Sequence, residues 1–149
     1  MAKYAVEMNR TASTTASLGT IGADATRPRR GKFYDVILGS EATPADNPFR
    51  WIIQRCTALG TSTAVTPQGI DPGDAATESD AGENHTVEPT YTSNAILLAI
   101  GLNQRATFRW VAAPGGELVY PATASNGLGV QTPTSSAVAI TATVHYEEQ

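Results

Sequence analysis

The sequence predicts an all-β fold, a β-sandwich or jelly roll of about eight strands in a single domain. Three observations carry that expectation. Apolar and alternating runs are short, and Gly, Pro, Asn and Asp interrupt them before a helix of useful length is complete. Only 16% of the 149 residues are charged while 41% are hydrophobic, a balance that leaves a helical bundle without the long charged side chains its outer faces need. The polar remainder is rich in Thr and Ser, and β-branched Thr sits well on a half-exposed pleat. No fixed-period repeat is visible, which argues against a propeller or solenoid.

Taken in order, Ala2–Met8 (AKYAVEM) places Tyr4, Val6 and Met8 on one side of a strand. Thr11–Thr26 (TASTTASLGTIGADAT) has too little apolar bulk for its own core, so it is either a flexible arm or a strand lying along something else. Residues 1–26 are therefore assigned to an N-terminal strand and small-residue arm, and residues 27–149 to the sandwich. Arg27, Arg29, Arg30 and Lys32 put four positive charges into six residues. Such a run is a solvated loop before a strand, or a contact with an acidic surface of a partner or neighbouring subunit.

Lys32–Leu38 (KFYDVIL) is a strand, ended by Gly39-Ser40, and Glu41–Asn47 is a loop by its Pro, Asp and Asn content. Pro48–Leu59 (PFRWIIQRCTAL) has a helix-opening Asp46-Asn47-Pro48, but its β-branched and aromatic residues favour a strand with Phe49, Trp51 and Ile53 on one face. Thr66–Glu88 reads as a long loop with six acids, Asp71, Asp74, Glu78, Asp80, Glu83 and Glu88. A loop of that length needs an interaction or a neighbour to hold it. Asn94–Ala122 holds the longest apolar run, Ala95–Ile100, then a polar corner at Asn103-Gln104 and an alternating segment with Phe108 and Trp110. A Pro114–Gly116 break and a short run, Glu117–Tyr120, follow, which together give two or three strands. Pro121–Thr134 is loop, with an Asn126-Gly127 turn signal. In Ala137–Tyr146, Val138, Ile140, Ala142, Val144 and Tyr146 alternate with Ala139, Thr141, Thr143 and His145, a strand with one buried face. Glu147-Glu148-Gln149 is expected to end it in solvent. Phe108, Trp110, Val138, Ile140 and Val144 are expected in one core.

Chemistry finds little foothold. The net charge of −4 disfavours nucleic acid as a partner. The single cysteine, Cys56, forms no internal disulfide and is expected as a small buried apolar group. The bases available to a nucleophile are His85 and His145, and no G-x-S-x-G elbow, P-loop or G-x-G-x-x-G is present. Asp71–Glu83 has the composition of a calcium loop without the D-x-[DN]-x-[DN]-G spacing, so a solvated loop is favoured over a calcium site in residues 71–88. Zinc would need more Cys and His. The expectation is a non-enzyme with no cofactor and no metal. The start has no basic-then-apolar leader and the longest apolar run is far short of about 20 residues, so a soluble protein made in the cytoplasm and not in a membrane is expected.

The small-residue N-terminal arm, RRGKFYDVILGS, EATPADNPFRWIIQRCT, GENHTVEPTY, TFRWVAAPGGELV and the closing strand together resemble a recurrent kind of protein. It is encoded within the structural gene clusters of tailed bacteriophages, next to the major capsid protein, and some examples are capsid decoration (cement) proteins. The resemblance runs from about Arg29 to the C-terminus and carries over no functional residue. It implies a β-sandwich or jelly roll and a virion protein on the capsid surface. The implied partners are the major capsid protein and further copies of itself in a homo-oligomer. On that expectation Arg27, Arg29, Arg30 and Lys32 are the candidate partner-binding residues. A receptor- or carbohydrate-binding sandwich of a tail or spike is the alternative, with Trp51, Trp110 and Tyr120 as candidate exposed aromatics.

Overall fold

In a computed structural model that describes residues 1–133 and 137–149, strands account for all the regular structure. They are β1 (Lys3–Thr11), β2 (Gly19–Ala23), β3 (Gly31–Ser40), β4 (Pro48–Ala58), β5 (Thr61–Ala64), β6 (Gln68–Gly69), β7 (Ser79–Val87), β8 (Thr90–Asn103), β9 (Phe108–Val111), β10 (Leu118–Tyr120), β11 (Gly127–Gln131) and β12 (Ala139–Glu148). Twelve strands replace the expected eight because several are short or poor in apolar residues. Thr134, the last residue of the loop expected at Pro121–Thr134, lies outside the described residues.

The strands form two antiparallel sheets. The first runs β10-β3-β12-β1-β6, with β9 also on β3. There β10 pairs Gly31–Phe33 and β9 pairs Asp35–Leu38, so the two lie end to end along β3. The second runs β5-β7-β2-β11-β4-β8. The chain passes repeatedly from one sheet to the other, so the inner faces are sewn together along their length. Tyr4, Val6, Met8, Phe33, Val36, Leu38, Ile140, Ala142, Val144 and Tyr146 from the first sheet meet Ile21, Phe49, Trp51, Ile53, Leu128 and Val130 from the second. Val138, Ile140 and Val144 are buried as expected, and Trp110 is half-buried against the core. Phe108 is half-exposed and outside the cluster, at the first position of the four-residue outer strand β9.

Residues 11–26 are not an arm. Nine residue pairs join β1 to β12, and β2, buried throughout, lies between β7 and β11 inside the second sheet. Its small side chains suit the place. A Cβ on Gly19 would strike the Met8 side chain, and one on Gly22 would lie 2.8 Å from the Gly127 backbone. Lack of bulk here reflects close approach of neighbours. The accessible surface of 7140 Å² is close to the roughly 7,300 Å² expected of a compact monomer of this mass.

The polar corner after β8 is pinned. Gln104 is buried, its N–H donates to Asn47 C=O and its Oε1 accepts from Ala45 N–H. Pro114 and Gly115, the latter at φ +82°, fill the central positions of a turn closed by Gly116 N–H donating to Ala113 C=O, the residue pattern of a type II turn. The Asn126-Gly127 signal marks no hairpin: the turn runs Thr123–Asn126, with Ser125 at φ +60°, and carries the chain from one sheet to the other.

Candidate functional site

Of the four candidate partner-binding cations, Arg27, Arg29 and Arg30 lie in the loop before β3 and Lys32 lies in β3 itself. Arg27 pairs with Glu78 at 2.9 Å. Lys32 alternates with the inward Phe33 and so stands on the outer face of the first sheet, in register with Glu147, which is itself opposite Lys3. Glu117 joins this group, and Lys32 contributes to holding its carboxylate below the usual range, after backbone hydrogen bonds from its own N–H and that of Gly115. Arg29 is exposed. Arg30 lines a separate cleft with Arg55, a residue that the sequence did not single out.

The acids expected in a loop are mostly engaged within the chain. Residues 79–87 are strand β7, whose polar side chains point to polar partners. Glu83 accepts from Asn9 N–H at 2.8 Å. Glu88 accepts Ser17 N–H at 3.0 Å and Ser17 Oγ–H at 2.6 Å, leaving the Tyr91 hydroxyl to donate to Ser17 Oγ at 2.7 Å. These carboxylates hold the small-residue segment that has no bulk to hold itself. Asp24 is brought to about 2, first by the Thr26 hydroxyl and then by the N–H groups of Arg27 and Thr26. Among the described residues no group of three or more His, Cys, Asp or Glu side chains converges as metal ligands.

Glu148 does not end in solvent. It accepts from Thr77 Oγ1 at 2.8 Å, from Ser79 Oγ at 2.6 Å and from Glu78 N–H at 3.1 Å. The two hydroxyls in turn accept from Tyr146 and Tyr120 at 2.8 Å and 2.7 Å. Burial pushes both phenols well above their ordinary range, so they serve as donors at neutral pH.

Among the described residues, neither histidine has a Ser, Thr or Cys placed beside it as an activated nucleophile. His85 is buried, with Nε2 at 3.0 Å from Leu59 C=O and 3.2 Å from Thr20 Oγ1, tying β7 to β2 and to the turn after β4. Burial holds it below the ordinary histidine value. His145, on the outer face of the first sheet, stacks on Tyr34 and places Nδ1 3.3 Å from Asp35. The buried Asp35 carboxylate is gripped by Arg109 through Nε at 2.9 Å and Nη2 at 2.6 Å. Arg109 first, then His145, holds its carboxyl below the usual range against the effect of burial. Cys56 is buried and its thiol is pushed up to about 11 by that burial, so at neutral pH it is a protonated packing group.

Among the described residues, β8 has a free edge. This strand of 14 residues, TYTSNAILLAIGLN, closes the second sheet and pairs on one side only, with β4. It carries no charged residue and no proline, and Ile96 is 42% exposed. Proteins ordinarily blunt such edges with Lys, Pro, a bulge or a short strand; β8 is irregular between Thr90 and Leu98 and regular from Leu98 to Asn103. The expected aromatic candidates for sugar binding are elsewhere: Trp51 and Tyr120 are buried and Trp110 packs against the core.

No protein-family model, curated protein or solved structure matches the chain.

Proposed function

We propose that this chain is a structural protein of a tailed-phage virion that binds and stabilises the assembled capsid shell, with the major capsid protein and further copies of itself as partners. The β8 edge carries the reading. A row of unpaired backbone groups on a long uncharged strand is a template for another strand. Two copies of a neutral strand meet without charge repulsion, so β8 pairs with β8 of a second copy about a two-fold axis. Arg29, exposed before β3, and Arg30 beside it offer cations to acidic groups of the shell. Each such contact is worth about 0–1 kcal/mol and mainly sets encounter rate and orientation. The resemblance to phage decoration proteins supplies the virion; the strand edge supplies a physical means of assembly.

A low-resolution map of the particle tests the reading. Density for this chain distributed over the shell is expected. Density confined to the tail or spike would move the chain to receptor binding, and absence from the particle would end the virion reading.

A further inference from the structure

We propose that the cleft between Arg30 and Arg55 is a binding site for a small oxyanion, a carboxylate or a phosphate. The cleft has a volume of about 450 Å³ and is lined by Arg30, Arg55, Thr57, Thr92, Asn126 and the apolar Val119-side wall. That is ample for a small metabolite-sized ligand, the usual range being roughly 300–1,000 Å³. No Asp or Glu lines it. Among the described residues, neither guanidinium has an ion-pair partner, whereas Arg27 and Arg109 do. In a chain of net charge −4, two unneutralised guanidinium groups at one concavity are a local reversal of sign.

The elements make the cleft for reasons of their own. Arg55 is exposed on β4, beside the buried Cys56, and Arg30 immediately precedes β3 in the opposite sheet, its C=O held by Gln149 N–H. The wall between them includes Thr92. In β8 the register opens there: Gln54 faces Ile96 while Cys56 faces Tyr91. Asn94 turns to φ +58° within that bulge, and Gln54 Nε2 holds Thr92 C=O at 2.8 Å. A bulge re-aims side chains at such rims. A guanidinium fork matches the two oxygens of a carboxylate or phosphate, the cleft is lined by two arginines, and Thr57, Thr92 and Asn126 add neutral hydrogen-bonding groups. The cleft lies within one copy of the chain, with Thr92 contributed by the start of β8.

The test is a titration of the 15N-labelled full chain followed by amide chemical shifts, at constant ionic strength. Inorganic phosphate and succinate are the two probes, with chloride as the reference anion. Saturable shifts confined to the amides of Thr57, Thr92, Asn126 and Gly127 are expected with at least one probe, and which probe saturates first distinguishes phosphate from carboxylate ligands. Arg55→Gln should weaken that binding about tenfold or more, as loss of a charge-assisted bond does. Arg55→Lys, which keeps the charge but loses the fork, should fall between. Both variants should keep the wild-type melting temperature, because Arg55 is exposed. Shifts that never saturate, that chloride reproduces, or that survive Arg30→Gln with Arg55→Gln would overturn the site.

Discussion

At the scale of single residues, the energetics are those of burial and of polar groups that must find partners. Ile140 is 1% exposed at the centre of the core. Ile140→Ala should cost about 2–5 kcal/mol in chemical denaturation, from lost burial plus the cavity left behind. A cost under 1 kcal/mol would mean that the site collapses or that Ile140 is not core. Glu148 is a different case, an acceptor for two hydroxyls and one N–H near the C-terminus. Glu148→Ala leaves those donors without their partner and should cost about 1–3 kcal/mol, although the residue is near the chain end. Deletion of Gln149 alone should have little effect by comparison.

At the scale of elements, the strands differ in how plainly they can be read from residues. β12 is legible because one face is buried and the other is not, so Ile140, Ala142, Val144 and Tyr146 alternate against Ala139, Thr141, Thr143 and His145. β3 is legible through its aromatic and β-branched content. β2 is not, since GTIGA is short of bulk where Met8 and Leu59 come in over its glycines. β7 looks like an acidic loop because its polar side chains are matched to partners distant in sequence, such as Asn9 and Thr20. The same holds for the candidate site: Arg27, Arg29, Arg30 and Lys32 are visible as a charge run, while only the fold shows that Arg27 pairs with Glu78 and that Arg55 lines one cleft with Arg30. β8 was visible as the longest apolar run, and only sheet order shows that it is an edge. The prediction at this scale follows from that edge. Ile96→Lys places one positive charge on each copy of β8, and like charges across a shared edge repel. Self-association measured by light scattering should weaken on the order of tenfold or more, with the melting temperature little changed. Unaltered association would place the contact elsewhere on the surface.

At the scale of the whole molecule, stability should respond to acid in two stages. His85 is held below its ordinary value by burial. As pH falls below about 6.5 the unfolded chain therefore takes up a proton that the folded chain refuses, and stability declines. Asp35 is held low by Arg109 and His145, so its contribution is present above the ordinary Asp range of about 3.9 and is lost as pH falls through its folded value. Asp80, raised by burial and by Asp24, acts in the opposite sense below neutrality. Thermal melts between pH 7 and pH 5 should show the His85 stage, and His85→Asn, though less stable throughout, should show a flatter slope there. An identical slope in that variant would remove His85 as the cause.

The whole-molecule view also changes how docking can be tested. Removing residues before Arg27 would take away β1 and β2, which are inside the two sheets, so truncation reports on folding rather than on an arm. Point changes at the β8 edge leave the core intact and are the better instrument. The most direct measurement is co-sedimentation of the purified chain with assembled shells and, separately, with free capsid subunits, using the wild type and Ile96→Lys. Wild-type chain should pellet stoichiometrically with shells and stay in solution with free subunits, and Ile96→Lys should pellet much less. Wild-type chain that fails to bind shells, or binds free subunits equally well, would contradict a role in stabilising the assembled lattice.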